Sequence, residues 1–265
     1  GRMNMYIHDI RNVKLAYGDT LLYPKFKGGE AIQQFDVVVA NPPWNQDMYD
    51  ENQLKKGEFW KQRFPYGFPN RQSADWAWIQ HMLASAKSSN GRVGVVIDNG
   101  CLFRGGKESA IRQKILEADL LECIVLTPEK LFYNTGASGA LLFFSKNKRE
   151  ERREKVLIIN GSMEFGKHPD VRKLNILADK NIERIASVAN SWEEIEGFSK
   201  IVSLEEIRKN DFNLNVTLYV SPQKEVEEVD IPATWAAIRD VEEELLAVDE
   251  RIAGHLKEIG YGVSD

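Results

Sequence analysis

The segment best suited to chemistry is Asn41-Pro42-Pro43-Trp44, which follows the apolar run from Phe35 to Ala40. Methyl transfer to an exocyclic amine is difficult because the nitrogen lone pair is delocalised into the ring. The Asn41 side-chain oxygen and the Pro42 carbonyl could accept hydrogen bonds from both N–H groups and favour a pyramidal nitrogen. The segment therefore predicts a site that activates an amine.

The residues beside these acceptors favour the same interpretation. Two successive prolines stiffen the loop, which lowers the cost of arranging the acceptors. Trp44 offers a flat face on which a base extruded from a duplex could stack. The alternative to a catalytic role is that Asn41-Pro42-Pro43 only marks a loop and that Trp44 is a partly buried anchor. The position directly after an apolar strand favours the catalytic interpretation.

The surrounding elements predict an α/β fold. Helices are predicted from Ser73, as the cap, to Lys87 and from Lys107 to Ala118. Alternation of strands and helices is typical of a parallel sheet, whose ligands bind beyond the carboxyl ends of the strands. A loop separates the last two strands, so that pair is a candidate for antiparallel pairing. The predicted buried strands are residues 35–40, 92–97, 121–126 and 140–144.

The remainder of the chain reads as additions to this sheet. Val156 to Ile159 predicts an edge strand, and Leu174 to Ala189 contains mixed helical and polar stretches. After Ser221-Pro222, apolar residues recur every three or four positions over 235–259, which predicts a helix with a seam for another helix. We therefore divide the chain at the following boundaries: 1–160 for the sheet, 161–222 for an extension packed on it, and 223–265 for an acidic linker and helical tail.

Composition narrows the functional classes. The net charge of −5 disfavours a nucleic-acid binder, but 12 acidic and 4 basic residues lie in 224–265, which leaves about +3 for the rest. No apolar run is long enough to span a bilayer. Cys101 and Cys123 do not have the spacing of metal ligands. We therefore predict that both are reduced core residues of a cytoplasmic protein. The histidines stand singly, so no metal site is predicted; they are His8, His81, His168 and His255.

The run from Phe35 to Trp44 resembles motif IV of the amino-methyltransferases that use S-adenosylmethionine. From about Asn4 to Val220 the chain resembles the modification (M) subunit of type I restriction-modification systems, which methylates adenine N6 in double-stranded DNA. Trp44 replaces the commoner Tyr or Phe. The resemblance implies a Rossmann-like methyltransferase sheet with a C-terminal extension and a helical tail. The supporting blocks are Gly18 to Leu21, Asp98 to Gly106 and Leu131 to Gly136.

The resemblance also implies residue roles. Asp19 would contact the adenine ring of the cofactor, although a turn residue is an equal alternative. Asn41 would face both the cofactor and the target adenine, which Pro42, Pro43 and Trp44 would help to hold. Phe132 would pack on the other face of the flipped base, unless it is plain core. Arg104 and Lys107 form a flexible cationic turn that could approach a DNA phosphate, against the alternative of a solvated turn.

The sequence departs from the family in the region that would bind the cofactor. The glycine-rich loop expected upstream of Asn4 is missing, so the sheet should lack its first strands and the S-adenosylmethionine pocket should be incomplete. We expect a truncated chain, a proteolytic fragment, or the product of a split or degenerate gene, inactive alone.

Partners follow from the same comparison. There is little room for a target-recognition domain, so sequence choice would rest on a specificity subunit docked on the tail helix, beside a restriction subunit. The tail helix could instead pack on its own domain. Two other functions stay open: methylation of a protein glutamine amide, and a non-catalytic assembly module.

Overall fold

The computed structural model describes residues 1–222 and 231–261. Its contacts divide the chain into two units, Gly1–Pro222 and Gln223–Asp265. In chain order, the strands are β1 (Lys27–Gly28), β2 (Ala31–Ile32), β3 (Val37–Ala40), β4 (Arg92–Asp98), β5 (Leu121–Leu126), β6 (Gly139–Ser145), β7 (Lys155–Asn160), β8 (Gly166–Lys167), β9 (Asn175–Ile176) and β10 (Ser199–Ser203). The helices are α1 (Arg2–Ile7), α2 (Glu51–Leu54), α3 (Trp60–Arg63), α4 (Asp75–Ser85), α5 (Lys107–Glu117), α6 (Asp179–Ser191), α7 (Leu204–Lys209), α8 (Val216–Tyr219) and α9 (Ile231–Glu258).

The first unit is built on a mixed sheet with the strand order β10-β7-β5-β6-β4-β3. β3 runs parallel to β4, and β5 runs parallel to β7. β6 lies between β4 and β5 and is antiparallel to both. The predicted antiparallel pairing of the last two strands is therefore confirmed, since the loop between them contains no helix to carry a parallel crossover.

Two predictions about the strands are wrong. β7 is not an edge strand, because β10 pairs with it in antiparallel register, Ser203 opposite Lys155. The short β10 is bounded by serines and contains Lys200, so it carries little apolar signal. β3 is parallel as predicted, but it is an edge strand rather than a buried one: Val37 and Val39 are 62% and 74% exposed.

The helices that carry the site pack on one face of the sheet. The predicted apolar face of α4, with Trp76, Ile79 and Leu83, is buried in a cluster shared with β4 to β6 and α5. α5 spans nearly its predicted residues. The predicted cap of α4 is wrong by one position, because Ala74 is the N-cap and Ser73 precedes it.

Both cysteines are buried and free, as predicted. Cys101 belongs to the cluster under α4 and α5, and Cys123 to the cluster on the opposite face of the sheet. Burial raises the pKa of both thiols well above the ordinary value. They are unreactive core residues, since the thiolate is the nucleophile.

The second unit contains α9, which begins at Ile231 and ends at Glu258, close to the predicted helix. Its seam residues Trp235, Val241 and Leu245 are each about 60% exposed. The acidic linker predicted from residue 223 falls mostly outside the described residues. Within 1–222 and 231–261, no helix is both long and apolar enough to cross a membrane.

Candidate active site

Asn41 to Trp44 leave the carboxyl end of β3 and line a cleft of about 800 Å³. Asp98, the last residue of the neighbouring β4, lines the same cleft. The opposite wall is the Leu131–Thr135 segment, which follows β5. The cleft thus lies beyond the carboxyl ends of parallel strands, where the fold class places its ligands.

The Trp44 indole fixes the side chain of Asn41. Trp44 Nε1 donates to Asn41 Oδ1 at 3.0 Å and also approaches the Val96 carbonyl of β4 at 3.3 Å. The first bond orients the Asn41 carboxamide, and the second ties the ring to the sheet. A phenylalanine at position 44 would provide neither bond, because its ring carries no donor.

Both predicted acceptors retain free capacity. A carboxamide oxygen has two lone pairs, and the indole occupies one on Asn41 Oδ1. The Pro42 carbonyl accepts no hydrogen bond from any residue in the described part of the chain. Asn41 is exposed, and Pro42, although buried, lines the same cleft. Two groups with unused acceptor capacity therefore lie together at the cleft.

Trp44 and Phe132, the predicted stacking pair, lie in direct contact. Their ring centroids are 4.7 Å apart and the planes meet at 72°, an edge-to-face pair. A base stacked between two rings needs roughly twice the van der Waals thickness of a ring, so this arrangement leaves no gap for one. An edge-to-face pair contributes only about 1 kcal/mol, whereas stacking one base contributes about 1–3 kcal/mol. An entering base can therefore offset the loss of this contact.

Gly139 sets how closely these rings approach the sheet. It begins β6, and a Cβ there would lie 2.8 Å from both Trp44 Cη2 and Phe132 Cε2. Any side chain at this position would push the rings. The Thr127 hydroxyl holds the Gly139 backbone, accepting from its N–H at 3.0 Å and donating to its carbonyl at 2.9 Å.

Arg104 joins the loop to the helices beneath it. Its guanidinium donates to the Asn45 side-chain oxygen and to Asp98, and it pairs with Asp75 at 3.1 Å and Glu108 at 3.2 Å. Asp75 is fully buried and accepts from the Asn45 backbone N–H at 2.9 Å. Asn45 has a left-handed backbone, with φ of 51°. This network clamps the residue that follows Trp44.

Charges in this network compensate one another. Burial alone would lower the pKa of Arg104, but Glu108, Asp75 and Asp98 together raise it. Burial raises the pKa of Glu108, and Arg104 partly opposes that shift. The guanidinium is therefore occupied within the protein, and its predicted contact with a DNA phosphate stays a prediction. Lys107 begins α5 and is exposed to solvent.

Asp19 lies in a turn outside the cleft lining. Its Oδ1 accepts from the Leu22 N–H at 3.0 Å, and its Oδ2 accepts from the Tyr49 hydroxyl at 2.8 Å. Burial and the bond to Asp19 raise the pKa of Tyr49 to about 12. Both carboxylate oxygens thus serve the turn, and the cofactor contact stays a prediction. No cluster of three metal-ligating side chains occurs within 1–222 and 231–261.

Several site residues escaped the sequence analysis. Asp75 and Glu108 resemble ordinary acidic residues in the first turns of helices, where they favour the helix dipole. In the sequence, only the i, i+4 spacing of Arg104 and Glu108 indicates that two of these residues could form an ion pair. Gly139 had no signal beyond its position before an apolar strand.

Comparison with known proteins shows which family the chain resembles. The model of the family described as "N-6 DNA Methylase" matches residues 1–228. A type I restriction enzyme methylase subunit (MjaVIII) of Methanocaldococcus jannaschii is 48% identical over 97% of this chain and 45% of its own length. The MpnII methylase subunit of Mycoplasma pneumoniae is 28% identical over 91% of this chain and 44% of its own length.

A solved structure agrees with these relatives. The methyltransferase subunit of a type I restriction-modification system from Streptococcus thermophilus superposes with a TM-score of 0.72 and 31% identity. The match covers 83% of this chain and 45% of that protein. The chain therefore spans a little under half the length of these three relatives.

Proposed function

Because the chain belongs to the N-6 DNA methylase family, we propose that it supplies the acceptor side of a DNA adenine-N6 methyltransferase. The whole enzyme would be the modification subunit of a type I restriction-modification system. The observation that carries the proposal is the pair of open acceptors, Asn41 Oδ1 and the Pro42 carbonyl, at the carboxyl end of β3.

In this proposal the two N6–H groups of a flipped adenine donate to Asn41 Oδ1 and to the Pro42 carbonyl. Those bonds favour a pyramidal nitrogen whose lone pair leaves the ring system and points at the methyl donor. Phe132 moves away from Trp44, whose indole keeps its bonds to Asn41 and to the Val96 carbonyl, and the base stacks between the two rings. The Arg104 network keeps Asn45, and with it the loop, in place while Phe132 moves.

S-adenosylmethionine supplies the methyl group when bound. The described residues fit it only in part: both oxygens of Asp19 are engaged in the turn, and β3 has an open outer edge with exposed valines. We therefore propose that the cofactor pocket is incomplete in this chain. Asn41 is the residue of the acceptor loop that would face it.

The proposed partners are double-stranded DNA, a specificity subunit and a restriction subunit. The exposed seam of α9, over residues 235–259, is the proposed docking element for the specificity subunit. Helices with an apolar seam at this spacing bury it against another helix. Two buried, unpaired cysteines fit the reducing environment of the cytoplasm, where we place the protein.

The test is transfer of labelled methyl groups by the assembled methyltransferase, followed by identification of the methylated product. We expect N6-methyladenine in the DNA, and a loss of at least about a hundredfold for Asn41→Ala because one acceptor is removed. Asn147→Ala, an exposed asparagine outside the site, is the matched control. Label in protein glutamine, or normal DNA methylation by Asn41→Ala, would overturn the proposal.

A further inference from the structure

A second cleft adjoins the first and carries a different chemistry. Its volume is about 600 Å³, and it shares the Phe132–Thr135 segment with the active-site cleft. Basic side chains from two separate segments line it, and no acidic side chain is among its lining residues. The four cations are Lys130, Lys167, Arg172 and Lys173. We call this the basic cleft.

The cations of the basic cleft are unlike Arg104. Arg104 is paired with three carboxylates of its own chain. In the part of the chain that the structure describes, none of the four basic-cleft cations forms an ion pair, and all four residues are exposed. Their charge is therefore available to an external anion.

A defined framework holds these residues together. Asn175 is buried; its Nδ2 donates to the Glu129 carbonyl at 2.8 Å, and its backbone N–H donates to the Lys130 carbonyl at 2.8 Å. The Asn175 side-chain oxygen accepts from Lys167 Nζ at 3.4 Å. β8 and β9 pair at this point, opposing Lys167 and Asn175. One buried asparagine thus joins both cation-bearing segments.

We propose that the basic cleft binds the phosphodiester backbone of the DNA strand whose adenine enters the active-site cleft. The inference rests on the proposed function and adds the path of the strand. A flipped nucleotide rotates about its own backbone, so its neighbouring phosphates stay beside the mouth of the base cleft. The shared Phe132–Thr135 wall leads from that mouth directly to the cations. Phosphate contacts of this kind fix register without reading sequence.

The test compares two triple substitutions that remove equal charge. The cleft variant is Lys167→Gln/Arg172→Gln/Lys173→Gln. The control is Lys114→Gln/Arg149→Gln/Arg208→Gln: three exposed cations on α5, before β7 and on α7, none of which lines the basic cleft. Binding of a fluorescein-labelled duplex of random sequence to this chain is followed by fluorescence anisotropy across a range of NaCl concentrations.

Each lost phosphate contact lowers the slope of log K against log salt by about 0.9. We expect the cleft variant to bind about tenfold more weakly at low salt, with a slope reduced by about two to three. The control should stay within about twofold of the unmodified chain. Equal weakening of both variants, or no binding of the duplex by the unmodified chain at low salt, would overturn the inference.

A milder variant guards against a folding defect. Arg172→Gln/Lys173→Gln leaves the Lys167 bond to Asn175 intact and should show a smaller slope change in the same direction, with an unchanged melting temperature. In the assembled enzyme the cleft variant should raise KM for DNA more than it lowers kcat. An enzyme that makes no N6-methyladenine defeats the proposed function, whereas normal methylation with equal binding by both triple variants defeats only the basic cleft.

Discussion

The loop that leaves β3 and the outer edge of β3 itself differ in how completely this chain surrounds them. The loop is fixed by the Trp44 indole, by contact with Phe132 and by the Arg104 network. Among the described residues no strand pairs with the outer edge of β3, and Val37 and Val39 are exposed there.

This difference separates the two halves of a methyl transfer. Groups that would grip the accepting amine are present and preorganised, which is what electrostatic catalysis requires. Within the described residues the strand edge beside them is open, and an open edge with apolar side chains is a liability in an isolated protein. Under the proposed function, the acceptor side is therefore the better-formed half of the site.

The largest effect should come from breaking the clamp on the loop. Asp75→Ala removes a fully buried carboxylate from Arg104 and from the Asn45 N–H, and should lower the free energy of unfolding by about 3 kcal/mol. Urea unfolding measures it. The control is Asp36→Asn directly before β3, where the pair with Lys87 is exposed and the unfolding midpoint should not change. Equal midpoints for both variants would contradict the contrast between loop and edge.

The free energy of unfolding should depend on pH through His81, which lies outside the active-site cleft. His81 lines a small cavity beside Val38, where burial and the nearby Arg63 lower its pKa to about 4. The unfolded histidine titrates near 6.5. Below that pH the unfolded chain binds a proton that the folded chain does not, so stability is lost as pH falls.

Between pH 7 and 5 that loss should be about 1–2 kcal/mol. Thermal unfolding at both values, compared with His81→Gln, isolates the contribution because the substituted chain has no group that titrates at this position. A decline of the same size in His81→Gln would assign the effect to other groups.

A smaller effect should follow from crowding the rings. Gly139→Ala places a methyl group against Trp44 and Phe132, so kcat/KM of the assembled enzyme should fall about tenfold, or about 1.4 kcal/mol. Gly28→Ala on β1 is the matched control, because it lies outside both clefts and a Cβ there meets only Gln33 Cα, at 3.9 Å. If both alanines lowered kcat/KM alike, the ring contact would have no special importance.

The sequence predicted what depends on local pattern. The strand before Asn41 and the helices at α4 and α5 follow from runs and spacings within one segment. The antiparallel β6 followed from the connection before it, which is a loop rather than a helix. These features need no knowledge of distant residues, and the structure reproduces them.

The features that the sequence did not predict depend on contacts between residues that are far apart in the chain. β10 is a strand because it pairs with β7, and Val39 is exposed because no described strand pairs with β3 on its outer side. Asp75 meets Arg104 through the fold, 29 positions away. In the sequence, the cations of the basic cleft lie close to the opposite charges of Glu129 and Asp170. Their positive charge is therefore concentrated only when the chain folds.

The central claim is that Asn41 works through its side-chain oxygen, and methyl transfer by Asn41→Asp and Asn41→Ala enzymes tests it most directly. Aspartate keeps an acceptor oxygen at the same place, whereas alanine keeps none. Measured as kcat at saturating DNA and cofactor, Asn41→Asp should retain more activity than Asn41→Ala, which should fall at least about a hundredfold. If Asn41→Ala matched or exceeded Asn41→Asp, the Asn41 oxygen would not be the acceptor and the account would be contradicted.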